Sequence, residues 1–241
     1  MQHHPYTNYE RIVMKGGAFP RVFPFALFMV FVGLEEGLRF LAGKGLIIFT
    51  SQAQYCLYPV KTLSVAAILL LFRGRYHEID LRDLKTAKRT TVSIVSGLAV
   101  FVAWINMDWR FGTIGTPYGF NPDLLPAGLV RSLLTTTRLA GAVVVVPVME
   151  ELFWRSFLVR FIIDPDFAKV PIGRFTWPSF LISTVLFGLE HNFFLAGMMA
   201  GVAYNLLLYR TRSISQCILA HAVTNLALGI YVIVTGKWFF W

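Results

Sequence analysis

Four side chains in apolar surroundings hold most of the reactive chemistry in this sequence: Glu150, His191, His221 and Asn225. Glu150 sits in PVMEELFWRSFLVRF, followed at once by Glu151 and then by Arg155. On a helix, Glu151 and Arg155 share a face in the orientation that favours an ion pair. Glu150 points about 100° away from its neighbour. An ionised group inside a membrane costs about 3 kcal/mol or more unless it is paired or hydrated. A structural ion pair near the interface accounts for Glu151 and Arg155. It leaves Glu150 without an assigned partner.

The sequence has five histidines. His3 and His4 belong to the N-terminal tail and His77 to a charged loop. His191, closing LFGLEH, and His221, opening HAVTN, are the two in apolar segments. His221 and Asn225 are four apart, share a helix face and can both donate into one space. Each of these groups alone reads as interhelical glue. Together with a glutamate they are the parts of a hydrolytic site. A carboxylate can act as general base toward water, and an imidazole can position that water or protonate a leaving amine. Asparagine and a second histidine can stabilise an oxyanion. No activated nucleophile is evident, because neither Ser183 nor Cys217 has an activating neighbour in the sequence. Glu150, His191 and His221 also form a His/His/Glu set of the kind that holds catalytic zinc, although HExxH is absent. Direct water activation and activation by a bound zinc both stay open. So does Glu190, which either orients His191 or is solvated.

GLEEGLR (33–39) repeats the glutamate pair near an arginine. Glu35 and Arg39 have i,i+4 spacing, and Glu36 and Arg39 have i,i+3 spacing. With no histidine nearby, the stretch reads as a lumen or interface ion pair, with lining of a substrate path as the alternative.

These groups must be positioned by membrane helices. Of the 241 residues, 56% are hydrophobic and 15% charged, against about 25% charged in a soluble protein. The charges cluster at 73–89, 108–110, 160–174 and 210–212, between long apolar runs. That pattern predicts an all-α polytopic transmembrane helical bundle of about seven to eight membrane helices. It forms one integral membrane domain over 1–241, with a motif-bearing core at about 127–235. Expected spans are roughly 23–43, a second within 45–72, 90–107, a long region at 127–163, 177–191, 193–209 and 213–236. The region 127–163 is too long for one simple span and is expected to be a lateral helix leading into a span. The segments at 177–191 and 193–209 are short enough to be tilted or incompletely spanning. The first apolar run lacks a clear cleavage signal and is expected to stay as an anchor. GMMAG (197–201) fits a small-xxx-small packing surface. The net charge of +9 sits mostly in short joints, which suits a lipid bilayer and not a nucleic acid. The basic 73–89 loop is expected in the cytoplasm with Arg11, Lys15 and Arg21, and 108–126 outside. Arg131 and Arg138 weaken that pattern. Cys56 and Cys217 fit no metal or redox motif.

The three motifs resemble those of the CPBP (CAAX protease and bacteriocin-processing) intramembrane proteases, a family that includes Rce1-type CAAX prenyl endopeptidases and bacterial Abi proteins. EELFWR (150–155) matches EExxxR, FGLEH (187–191) matches FxxxH, and HAVTN (221–225) matches HxxxN, in family order within 76 residues. The resemblance covers about 127–235 and is closest to the subgroup linked to exosortase systems. It implies a bundle of about eight helices around a chamber. It also implies that Glu150 and His191 activate water, that His221 and Asn225 form the oxyanion site, and that Glu151 and Arg155 support it. It leaves metal dependence open, with zinc on Glu150, His191 and His221 as one form. The implied activity is endopeptidase cleavage of a membrane-associated protein or peptide in the cell's inner (plasma) membrane. The turn before the last motif, TGSL-like in the family, is TRSI here. A non-catalytic membrane immunity or assembly factor is the competing reading, and a transporter the third.

Overall fold

The computed structural model describes residues 17–117 and 119–241. Among the described residues the regular structure is helical throughout. Seven helices frame it: α1 (Ala18–Gly43), α2 (Ser51–Leu71), α3 (Ala87–Trp104), α4 (Leu129–Ile163), α5 (Trp177–Leu189), α6 (Phe194–Thr211) and α7 (Ile214–Thr235). Their starts follow local side-chain chemistry. Thr50 caps α2 by accepting from the Ala53 amide at 3.2 Å. Thr176 caps α5 through Ser179 at 3.3 Å, and Ser213 caps α7 through Gln216 at 3.3 Å. Each occupies one of the amide donors that a helix N-terminus leaves unpaired.

α4 runs through the middle of the bundle, touching α1, α2, α5 and α7, while α3 lies along α7 and α5 pairs with α6. The expected break in 127–163 is absent: α4 is one continuous 35-residue helix. It changes pitch instead, widening to π-helical turns at Gly141–Val145 and Leu152–Leu158. The main core joins Val100, Trp154, Phe187, Tyr204, Leu208 and Cys217 from five helices. Large apolar side chains face outward, among them Val30 at 66% exposed, Leu63 at 63% and Val234 at 78%. Such a surface is stable against lipid and not against water.

Four helices are long and apolar enough to cross a membrane: α1, α2, α4 and α7. This is fewer than the seven to eight expected, for reasons visible in the residues. α3 has Lys88 and Arg89 in its first turn, α6 carries Asn205 and has Arg210 in its last turn, and both are only 18 residues long. α5 has 13 residues, about 20 Å at ~1.5 Å each, against ~30 Å of hydrocarbon.

Three of the basic segments gather at one end of the bundle. Arg21 grips Glu78 with Nε and Nη2, each at 2.6 Å. Ser213 donates to Asp83 at 2.6 Å, and Arg160 reaches the Val170 carbonyl at 3.3 Å. The irregular 105–128 segment closes the other end, where the Ile114 amide bonds Asn192 O at 2.7 Å. Arg11 and Lys15 lie outside the described residues.

Candidate active site

The site is built around the two wide turns of α4. In the first, the Val146 amide bonds Gly141 O, five residues back. The next residue, Pro147, has no amide hydrogen. The Ala142 carbonyl therefore lacks a main-chain donor from either position 146 or 147. A buried carbonyl needs one, and Asn225 Nδ2 supplies it at 2.8 Å. The asparagine expected to donate to an oxyanion thus spends one N–H tying α7 to α4. An amide carries two N–H donors, so one remains.

The second wide turn, closed by the Val159 amide on Trp154 O, brings Trp154 and Arg155 inward. Trp154 Nε1 donates to Glu190 Oε2 at 3.0 Å. The Arg155 guanidinium lies 4.4 Å from the Phe187 ring centroid and 5.3 Å from that of Tyr204. Its Nη1 donates to Glu151 Oε1 at 3.2 Å, the pair that helical spacing predicts. The same Oε1 sits 2.9 Å from His221 Nδ1. This second contact joins residues 70 apart in sequence, and no local spacing signals it. Glu151 and Arg155 are 0% and 1% exposed, so each depends on the other for charge compensation.

The partners determine which nitrogen carries the proton in each histidine. His191 Nδ1 is 2.8 Å from Phe187 O. A carbonyl only accepts, so Nδ1 holds the hydrogen and Nε2 of the neutral ring is an acceptor. His221 Nδ1 likewise faces a carboxylate, which turns Nε2 toward Glu150 Oε2 at 4.0 Å. The Tyr204 ring stacks on His221 at 5.0 Å, and Trp104 meets His191 edge-on at 5.3 Å. His191 follows the end of α5, where α6 approaches closely. A Cβ on Gly197 would lie 3.0 Å from Gly188 Cα and 3.1 Å from His191 Nδ1. That is the packing surface expected from GMMAG.

Glu150, His191, His221 and Asn225 line one cavity of about 260 Å³, together with Glu190. Glu151 and Arg155 stand behind its wall. Ser183 and Cys217 are engaged elsewhere, Ser183 Oγ donating to Ser179 O at 2.6 Å and Cys217 Sγ lying 3.8 Å from Tyr204 O. A second cavity of about 310 Å³ shares Tyr58, Trp104, Arg138, Glu190 and His191 with the first. Glu35, Glu36 and Arg39 line it. Glu35 pairs with Lys61 at 3.0 Å instead of Arg39, while Glu36 does pair with Arg39. GLEEGLR is therefore part of a vestibule to the site.

The zinc alternative meets a poor donor set. Among the described residues no group of three or more His, Cys, Asp or Glu side chains is arranged to hold a metal ion. With His221 Nδ1 engaged by Glu151 and His191 Nδ1 by a carbonyl, of the ring nitrogens only the two Nε2 atoms could serve as ligands. Glu150, His191 and His221 share the cavity without converging as ligands.

The polar set at this cavity lies within a recognisable segment. Residues 131–227 match the family model of type II CAAX prenyl endopeptidase Rce1-like proteins. The matched segment starts in α4 and ends in α7, so it contains all seven residues that the three motifs specify. It is somewhat shorter than the 127–235 expected from those motifs. No curated protein matches the chain, and no solved structure does. Sequence reasoning missed Trp154, Tyr204 and Arg138 as parts of the site. Only Arg138, a cation inside an apolar run, carried a usable signal.

Proposed function

We propose that the chain is an intramembrane endopeptidase, hydrolysing a peptide bond of a membrane-associated protein or peptide with water activated by Glu150 and His191. The observation that carries this reading is the shared cavity, lined by a carboxylate, an imidazole with an accepting Nε2, a second imidazole and an amide with a spare N–H. The Rce1-like match over the same residues supports it.

In the proposed reaction Glu150 takes one proton from water while His191 Nε2 accepts a hydrogen bond from the other. The water oxygen adds to the peptide carbonyl carbon, and the carbonyl oxygen becomes an oxyanion. The second N–H of Asn225 can donate to it, with His221 beside it in the same cavity. The proton on Glu150 then passes to the amide nitrogen, the C–N bond breaks, and an amine and a carboxylic acid leave. Glu151 and Arg155 act from behind the wall by holding the His221 ring. The family name points to prenylated C-terminal tails as one candidate substrate, and the apolar walls of Phe28, Val32 and Leu228 would suit such a chain.

In this reading α3, α5 and α6 also lie within the bilayer, giving seven membrane helices in the cell's inner (plasma) membrane, with the basic end in the cytoplasm. Purified protein should cleave a membrane-embedded peptide. Glu150→Gln should lower the rate by a factor of about 100 or more with the thermal unfolding curve unchanged. Undiminished turnover by that variant would sink the assignment and favour a non-catalytic immunity or assembly factor.

A further inference from the structure

Arg138 is a charged group that the proposed reaction does not use. It sits on α4, twelve residues before Glu150, and lines both cavities at their junction. The other cations of the vestibule are compensated: Lys61 by Glu35 at 3.0 Å, and Arg39 by Glu36. Among the described residues Arg138 has no carboxylate partner. Its Nε is buried without a hydrogen-bond acceptor. Its guanidinium lies 4.3 Å from the Tyr58 ring centroid. Tyr58 is itself held, its hydroxyl donating to Arg138 O at 3.3 Å. An aromatic platform fixes the plane of the guanidinium fork, which lowers the ordering needed to bind a planar anion.

An unsatisfied guanidinium nitrogen in an apolar bundle is destabilising. The Arg138 side chain stands at the seam of two cavities, where a ligand could meet the fork. We propose that Arg138 is a carboxylate subsite, binding a carboxylate of the peptide whose bond is presented to Glu150. The proposal rests on the proteolytic reading and adds to it a substrate class: peptides carrying an anionic group on one side of the reacting bond. The spacing suits that geometry. Twelve helical residues span about 18 Å at ~1.5 Å each, which an extended peptide covers in about five residues at ~3.3 Å each. Guanidinium and carboxylate match in a planar two-bond fork, whereas an amide offers only one acceptor oxygen and no charge.

The carboxylate could be a chain terminus or an acidic side chain, and three probes separate these sources. They are N-dansyl octapeptides of leucine and alanine: one with a free C-terminus, one amidated, and one amidated with an internal Asp. Binding to the Glu150→Gln protein in detergent micelles is read by tryptophan-to-dansyl energy transfer. At least one carboxylate probe should bind about tenfold more tightly than the neutral amide. A preference for the free C-terminus alone identifies a terminal carboxylate, and a preference for the Asp probe alone identifies a side chain. Adding Arg138→Gln should erase the preference. Adding Arg138→Lys should retain part of it, because charge remains without the fork, and this variant serves if Arg138→Gln does not fold. Equal binding of all three probes overturns the proposal, as does a preference that survives Arg138→Gln or is undiminished in Arg138→Lys. The unsubstituted protein is tested in parallel for cleavage of the same probes. Cleavage without any carboxylate preference removes the subsite alone. A preference that depends on Arg138, with no cleavage of any probe, upholds the subsite and counts against the protease reading.

Discussion

At the scale of single residues, the two adjacent glutamates have separate surroundings although they are neighbours in the chain. Glu150 faces the cavity, while Glu151 is buried between Arg155 and His221. Glu151→Gln is expected to damage the site indirectly. It keeps the shape but removes the charge, leaving Arg155 1% exposed without a counter-ion. Breaking such a buried pair destabilises by about 3–5 kcal/mol, measurable as a lowered midpoint in chemical unfolding. Glu150→Gln should leave that midpoint within about 1 kcal/mol, because its Oε2 has no hydrogen-bond partner among the described residues and lies 4.0 Å from His221 Nε2. Equal losses in the two variants would contradict this division. The i,i+4 rule made the Glu151–Arg155 contact legible in advance. It could not show His221 on the same oxygen, because that contact depends on how α7 meets α4.

At the scale of elements, α4 shows how one proline shapes a site 78 residues away in sequence. Pro147 and the preceding wide turn orphan Ala142 O, and Asn225 fills the vacancy. Asn225→Ala should therefore cost about 1–3 kcal/mol in the unsubstituted protein. In a Pro147→Ala background the new amide can serve Ala142 O, and the cost of Asn225→Ala should fall by about 1 kcal/mol in a double-mutant cycle. Strict additivity would show that the asparagine does not answer the proline. The turn between α6 and α7 offers an independent test. Arg212 adopts φ 52°, the one described non-glycine residue with positive φ. It occupies the place of the glycine in the TGSL-like turn, where a left-handed residue ends α6 and Ser213 starts α7. Arg212→Gly should stabilise the protein by about 1 kcal/mol by removing the Cβ strain, read as a raised thermal midpoint. A lowered midpoint would mean that the arginine contributes more through its side chain than it loses in the backbone.

At the scale of the whole molecule, the basic end is clamped while the opposite end, covered by the 105–128 segment, holds the vestibule. The clamp centres on Glu78, which joins Arg21 of α1 and Ser156 of α4 to the 73–86 loop. Burial alone would raise the Glu78 carboxyl. The Arg21 hydrogen bonds and charge, with the Ser156 hydroxyl, outweigh burial and hold it below its ordinary value of 4.5. A carboxyl depressed in the folded state contributes stability above its unfolded value. That contribution disappears as pH falls through the folded value. Thermal midpoints measured from pH 7 downward should therefore begin to drop below about pH 4.5, and Glu78→Gln should flatten that part of the profile. An unchanged slope in the variant would show that other groups drive the acid loss.

The sequence alone sufficed for the helical class, the approximate places of the helices and the seven motif residues. Hydropathy runs, capping residues and i,i+4 spacings are local quantities, and the chain carries them without being folded. Of the seven helices four are long and apolar enough to cross a membrane; α3, α5 and α6 fall short because polar or turn residues shorten their apolar runs, as the brevity of 177–191 and 193–209 already indicated. Only the tertiary structure decided which glutamate lines the cavity and which is held against His221 Nδ1. It also turned GLEEGLR from an isolated ion pair into a vestibule wall, and left Arg138 at the seam of two cavities. Those outcomes depend on helix rotation and crossing, set by close contacts such as Gly188 on Gly197 and by hydrogen bonds between distant helices. No periodicity within a single helix contains them.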